Sequence, residues 1–333
     1  MFNTSLPTGF NSRLTIHDNQ QALGFLIAQT TYVEQEVYKI QYPEIIWEQL
    51  LPVDSTANEW AKSVTYFSLD RVGQADWLNN MATDMRFADI NRGRFEQGIE
   101  MAGIGYRYTL EEIGQAMMIP GLNLTAERAD AARFAYEQFM DRIAYYGDTN
   151  KGFYGLINNP LVTRTNAIAD GTGSSALWTA KTADQIIRDV NNALTQVYEG
   201  SNTVEIADTV LLPIDAMATI ANTRVPNTYG NALDYLARYN QYTHITGRPL
   251  TIRGVLGLGT AGTAGVGRMV AYRRDPRVVK IHIPMRHRFM PVWQTGPITF
   301  EIPGIFRIGG VEIRRPGAFA YVDGITPASP ATP

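Results

Sequence analysis

The stretch Lys62-Ser63-Val64-Thr65-Tyr66-Phe67-Ser68-Leu69 sets the fold of this 333-residue chain. Val64, Tyr66 and Ser68 alternate with Thr65, Phe67 and Leu69, the period of two that a strand imposes. A second extended run, from about Phe95 to Thr109, is interrupted by Gly98, Gly103 and Gly105. Between them lies a polar stretch with Asp84, Arg86, Asp89, Arg92 and Arg94. These residues read as a long two-stranded arm with too little apolar surface to fold alone. An isolated hairpin is marginal in water, so the arm is expected to lie on something else.

Upstream, the first 17 residues are polar and broken by Pro7 and Gly9, which predicts a flexible arm. A helical pattern opens at Asp18, with Gln21 at the capping-box position, and ends before Tyr42-Pro43. Downstream, Thr109-Leu110-Glu111-Glu112 is a second capping box. Thr125 then caps the best helix of the chain, where Ala132, Ala135, Phe139, Ile143 and Tyr146 recur at helical spacing and Gly147 sits at the C-terminal cap. From Ala126 to Tyr146 this helix spans about 31 Å. Thr182-Ala183-Asp184-Gln185 opens another helix, with Ile186, Ile187, Val190, Leu194 and Val197 on one face. A short strand follows at Thr209 to Leu212 and a helix at Asn231 to Tyr239. The last third is strand-rich: Arg268 to Tyr272, Val278 to Ile283, Ile298 to Ile302, Ile305 to Val311 and Ala318 to Val322. The Pro/Ala-rich tail from Thr326 reads as disordered.

Composition narrows the function. Hydrophobic residues make up 45%, enough for a substantial core, while charged residues make up only 18%. A charge-poor surface fits burial against other chains. The net charge of -3 does not advertise nucleic-acid binding. The distribution is uneven: six acids between Glu34 and Glu59 face one base, and seven bases between Arg268 and Arg288 face one acid. Such patches could dock neighbouring copies, face a polyanion, or be separately solvated. The absence of cysteine excludes disulfides, thiolate metal sites and cysteine nucleophiles. The N-terminus lacks the order of a signal peptide, and no apolar run reaches the roughly 18 residues that span a bilayer.

Motifs of chemistry fail on context. Gly257-Leu258-Gly259-Thr260-Ala261-Gly262 matches the dinucleotide pattern, but strand-like Met269 to Tyr272 follows where a helix is required, and the distal acid is missing. A mobile glycine loop is the better reading. Asp89, Asn91, Gly93 and Glu100 partly fit a calcium loop, but Arg94 stands where its glycine belongs. His282 and His287 point to opposite faces of a strand-like stretch and make a poor metal pair. No nucleophile is assembled with a base, so no catalytic residue, cofactor or metal is assigned.

Several short segments, in order and spacing, carry a resemblance. They are Asp70-Arg71-Val72-Gly73-Gln74-Ala75, Gly147-Asp148 with Gly152 to Asn158, Ala271-Tyr272-Arg273-Arg274-Asp275-Pro276, Gly309 to Pro316, and Tyr321-Val322-Asp323-Gly324-Ile325. With them the chain, from about Ala22 to Ile325, resembles the major capsid proteins of tailed bacteriophages. The resemblance implies an α+β, HK-97-like capsid fold. Its parts would be an N-terminal arm (1–61), an extended loop hairpin (62–107), a peripheral domain with a long spine helix (108–178 and 291–325), an axial domain (179–290) and a disordered tail (326–333).

It further implies a non-enzymatic shell protein that self-assembles through hexamers and pentamers around double-stranded DNA, which it touches without sequence preference. The shell would form in the host bacterial cytoplasm, with portal and scaffolding or decoration proteins as partners and no membrane. Subunit contacts are expected at Lys62, Arg86, Arg92 and Arg94 of the hairpin and at Gly257, Gly259 and Gly262. Some relatives cross-link their shells through a lysine of the extended loop. Here Lys62 is the only lysine between Lys39 and Lys151, and it stands at the loop's base, so a non-cross-linked shell is expected. The alternatives are an encapsulin-type nanocompartment of the same fold, a tail or decoration protein, and an oxidoreductase using the Gly257 loop.

Overall fold

The computed structural model describes residues 44–75, 77, 87–117 and 124–328. The helix expected from Asp18, the acids Glu34 and Glu36, and Arg86 lie outside them. A one-turn helix α1 (Trp47–Leu50) leads to β1 (Val53–Asp54), and the chain then enters the hairpin. Strand β2 (Ser63–Val72) pairs antiparallel with β3 (Asp89–Gly98) in unbroken register from Ser63↔Gly98 to Val72↔Asp89. The returning strand therefore starts at Asp89 rather than Phe95. Its polar composition conceals it, because both faces of the arm meet solvent and nothing enforces apolar alternation.

The run expected to continue to Thr109 breaks into three pieces. After Gly98 the chain leaves the hairpin: β4 (Glu100–Gly103) pairs with β16 (Gly304–Ile308), and β5 (Tyr106–Thr109) pairs with β15 (Thr299–Ile302). Both capping boxes form. The Thr109 amide donates to Glu112 at 2.9 Å, and the Glu112 amide donates back to Thr109 Oγ1 at 3.3 Å, starting α2 (Leu110–Met117). The Thr182 amide donates to Gln185 Oε1 at 2.8 Å before α4 (Ala183–Gly200).

Between them runs α3 (Leu124–Tyr146), 23 residues long. Thr125 lies inside its first turn and does not cap it. The buried stripe is Ala132, Tyr136, Met140, Ile143 and Ala144, rotated from the expected one, so that Phe139 is only half-buried and Tyr146 is exposed. Apolar residues surround this helix near its C-terminus, and packing, not periodicity, decides which side turns in. Gly147 ends it at φ +67°.

The centre is a five-stranded mixed sheet in the order β10 (Thr251–Gly254), β9 (Thr209–Leu212), β11 (Arg268–Tyr272), β18 (Phe319–Asp323) and β8 (Arg164–Asn166). Strict alternation sends its side chains to two cores. One face contributes Val210, Leu212, Met269, Ala271, Ala320 and Val322 to a core with Ile186, Val190, Leu194 and Val197 of α4. Helices α5 (Ile214–Asn222), α6 (Ala232–Arg238) and α7 (Gln241–Thr246) close that side. The other face contributes Leu211, Val270, Tyr272, Phe319 and Tyr321 to a core with Met140 and Ile143 of α3. Each such aliphatic or aromatic side chain gains roughly 1.5–3 kcal/mol on full burial.

Three smaller sheets follow, of which the first two reach the second core. Their orders are β1-β12-β17, with β12 (Val279–His282) and β17 (Val311–Ile313), then β13-β16-β4, with β13 (Met285–Phe289), and β14-β15-β5, with β14 (Trp293–Gln294). The strand expected over Ile305 to Val311 is two strands in different sheets. It divides at Gly309-Gly310, where Gly310 adopts φ +67° and an added Cβ would meet Phe153 at 2.9 Å. Short β6 (Gly147–Asp148) and β7 (Phe153–Tyr154) form a turn beyond α3. Thr326, the first residue of the expected loose tail, is instead buried, and its carbonyl accepts the Gly267 amide at 3.1 Å. Among the described residues no helix is long and apolar enough to cross a membrane.

Candidate subunit-contact surfaces

The hairpin carries a run of exposed apolar side chains. Phe67, Leu69 and Ile90 are 67%, 64% and 55% exposed. The register opposes Phe67 to Arg94, Leu69 to Arg92, and Arg71 to Ile90, so these six side chains share one face. The other face carries Tyr66 and Phe95, stacked at 5.2 Å. Arg92 and Arg94, expected as contact residues, therefore stand together amid apolar side chains. Each would gain little from an exposed ion pair alone, roughly 0–1 kcal/mol.

The base of the hairpin is fastened to the body. The Ile99 amide donates to the Lys62 carbonyl at 2.9 Å, Gln97 Nε2 donates to the Gly309 carbonyl at 2.6 Å, and the Arg314 guanidinium lies 4.6 Å from the Tyr66 ring centroid. Lys62 is exposed at this root. A cleft of about 870 Å³ opens beside the base, between Val53, Asp54 and Thr56 on one side and Tyr66 to Leu69 on the other. No local sequence signal announces it, since its walls lie far apart in the chain.

Three acids of one cluster and three bases of the other find partners within the chain. They pair with each other inside one chain: Glu48 with Arg286 at 3.1 Å, Glu59 with Arg288 at 3.2 Å, and Asp54 with Lys280. Burial pushes the Asp54 carboxyl up, but hydrogen bonds from Lys280 and Thr56 outweigh it and hold Asp54 well below the usual carboxylate range. Parallel pairing of β1 with β12 explains the match, because it lays residues 53 and 54 along 281 and 282. These six residues thus have partners within their own copy.

The histidines occupy separate places. His282 is 1% exposed with Nε2 2.6 Å from Glu312 Oε2, whereas His287 Nε2 lies 3.0 Å from the Ile104 carbonyl and its ring stacks on Tyr136 at 5.2 Å. Asp89, Asn91 and Gly93 lie along a strand, which spreads them at about 7 Å steps instead of wrapping an ion. Among the described residues no group of His, Asp and Glu could hold a metal.

The glycine loop is anchored, not mobile. Leu258 is fully buried, the Tyr146 hydroxyl donates to the Gly257 carbonyl at 3.1 Å, and the Gly262 amide donates to the Val266 carbonyl at 2.8 Å. Both the amide and the hydroxyl of Thr263 donate to Asp323 Oδ2, at 2.9 and 3.0 Å. Gly257 adopts φ +89°, and an added Cβ would collide with the Tyr146 hydroxyl; at Gly262 it would lie 2.6 Å from the Val266 carbonyl, while Gly259 faces open space. The glycines are thus required by close approach at two positions and leave one available to a neighbour. The loop runs into a strand, so it presents no helix N-terminus to a pyrophosphate.

An α+β architecture with a protruding two-stranded arm is the class these observations define. Residues 73–325 match the model of the Major capsid protein family, and the chain belongs to that family. It is a structural shell protein and not an enzyme. Similar solved folds agree. The capsid of Myoviridae Phage XM1 is 17% identical, with a TM-score of 0.76 over 90% of this chain and 98% of that one. A chain from Mycobacterium phage Bobi is 15% identical, with a TM-score of 0.60 over 91% and 97%. The capsid of a native GTA particle is 10% identical, with a TM-score of 0.60 over 89% and 95%. No curated protein sequence matches significantly. The α+β capsid fold expected from sequence is the fold observed, and nothing in these matches favours the encapsulin-type alternative.

Proposed function

We propose that copies of this chain assemble through hexamers and pentamers into a closed icosahedral shell around phage double-stranded DNA, each hairpin lying across a neighbouring copy. The observation that carries this reading is the hairpin itself. Its face leaves Phe67, Leu69 and Ile90 more than half exposed, and apolar area left in water forgoes roughly 25 cal/mol per Å² that contact would recover. In this reading the α3 side of the central sheet is the peripheral lobe (108–178 and 291–325), and the α4 side is the axial lobe (179–290). Gly259, with space around it, is the loop glycine best placed for contact between copies.

DNA would meet the inner wall through phosphate contacts, insensitive to sequence and weakened by salt. Portal and scaffolding or decoration proteins are the partners this role requires, and assembly takes place in the bacterial cytoplasm. The test is electron microscopy of the purified protein, alone and co-expressed with its neighbouring genes. Closed shells or five- and six-fold capsomers are expected. Small monodisperse oligomers under both conditions would overturn the reading.

A further inference from the structure

The tail after Thr326 has a spacing that a Pro/Ala-rich composition alone does not require. Pro327, Pro330 and Pro333 stand three residues apart, with only Ala328, Ser329, Ala331 and Thr332 between them. A polyproline II helix turns once every three residues and makes no internal hydrogen bonds. In that conformation the three prolines share one edge, small side chains leave the edge open, and the backbone carbonyls stay free to accept. Proline's fixed φ also lowers the entropy lost when such a segment is held.

A groove suited to this segment lies on the α4 side of the central sheet, where the loop after α5 meets α6. It encloses about 450 Å³ and is lined by Thr228, Gly230, Asp234, Tyr235, Arg238 and Tyr239. The Tyr235 and Tyr239 rings, one helical turn apart, have centroids 5.0 Å apart and planes tilted by 36°. Tyr239 is 56% exposed and neighbouring Tyr229 wholly so, whereas Tyr242 turns into the core. An added Cβ at Gly230 would meet nothing, so the groove is open there. Polyproline II segments dock in aromatic-lined grooves of this kind. Tyrosine rings pack on the prolines, and their hydroxyls can donate to the free carbonyls.

Segment and groove are within reach of each other. Thr326 leaves the core beside Pro213, at the start of α5, since an added Cβ at Gly267 would meet both. The nine residues of α5 extend about 14 Å. Its far end abuts the start of α6, where the Ala232 amide donates to the Thr223 carbonyl at 2.9 Å and Asn231 Nδ2 to the Ala221 carbonyl at 3.1 Å. Residues 327–333 span about 22 Å as polyproline II. We propose that this tail docks in the tyrosine groove of its own copy, with Pro330 and Pro333 against Tyr235 and Tyr239. The docked tail straps α5 and α6 to the end of β18, and its tether supplies the local concentration that lets a weak contact persist.

Because the chain has no cysteine, a disulfide can report the docking. Ala331→Cys is combined in turn with Asp234→Cys or Arg238→Cys and oxidised mildly in dilute, unassembled subunits. At least one pair is expected to close within one chain, seen as a faster band on a non-reducing gel. Adding Pro330→Gly and Pro333→Gly to that pair is expected to slow closure at least about fivefold. No closure from either pair, or disulfides only between chains, overturns the proposal. A rate unchanged by the glycines overturns it as well, because a tether drifting past the groove would behave so. A second readout needs no cysteine. In the chain carrying only Pro330→Gly and Pro333→Gly, amides from Thr228 to Tyr239 are expected to exchange hydrogen at least about threefold faster, with Leu194 to Val197 unchanged. Equal exchange in parent and variant overturns the docking. Both measurements use single subunits, so their outcome is independent of whether the chain closes into shells.

Discussion

Arg268 and Asp323 stand directly opposite each other on neighbouring antiparallel strands, and the guanidinium grips the carboxylate through two hydrogen bonds of 2.6 and 2.8 Å. Each residue is 2% exposed. A third donor, Nη1, reaches the Ile157 carbonyl at 2.6 Å, and the guanidinium lies 4.8 Å from the Tyr321 ring centroid. The carboxylate also holds Thr263, so one pair joins the central sheet, the turn after α3 and the glycine loop.

Removing one partner leaves the other charged and buried. Arg268→Met is therefore expected to cost the subunit about 3–5 kcal/mol, and the double change Arg268→Met with Asp323→Leu to recover most of it. Urea unfolding of unassembled subunits measures both. Burial pushes the Asp323 carboxyl up, but Arg268 and Thr263 hold it below its usual range. The pair's stability is thus present at neutral pH and is lost as pH falls below about 4.

The three loop glycines separate folding from assembly. Ala at Gly257 or Gly262 must displace Tyr146 or the Val266 carbonyl, and should lower the melting temperature of the isolated subunit. Gly259→Ala meets nothing and should unfold within about 0.5 kcal/mol of the parent. If its shells nevertheless fail under electron microscopy, the loop touches a neighbour; parent-like shells remove Gly259 from the contact.

Asp141 works against the isolated subunit. Burial, joined by repulsion from Glu137, pushes its carboxyl up to about 6 from a usual 3.8. A carboxyl raised on folding holds its proton better in the native state, so stability falls as pH rises through this window. Asp141→Asn is expected to stabilise the subunit by about 1 kcal/mol near neutral pH, discounted for partial exposure, and to change nothing below about pH 4. Thermal unfolding of parent and variant at both pH values decides it.

Lys62 is too near the hairpin's root to act at its far end. Mature particles are expected to dissolve to single chains on denaturing gels. A multimer ladder abolished by Lys62→Arg would show the opposite.

Much of this was legible where local physics decides. The alternation from Arg268 to Tyr272 matches an observed strand residue for residue, and both capping boxes, at Thr109 and Thr182, start helices. The hairpin's first strand could be read, but its return could not. Asp89 to Arg94 has the composition of a loop, and only pairing with β2 makes it a strand. Partners distant in sequence were equally hidden. Nothing around Glu48 or Glu59 identifies Arg286 and Arg288 as their counterparts, and the Gly257 loop reads as loose until Tyr146 and Asp323 are brought against it. Of the expected contact residues, Arg92 and Arg94 meet on one face, while Lys62 and the loop glycines lie elsewhere.

The central sheet has a mechanical consequence. Its strands β11 and β18 belong to both cores at once, alternate side chains serving opposite sides. No slip plane separates the two halves, and a shear on one reaches the other along covalent backbone instead of across a lubricated seam. The subunit should respond to tension as one stiff plate carrying a compliant tongue, with deformation concentrated at the tongue's root beside Gln97 and Ile99.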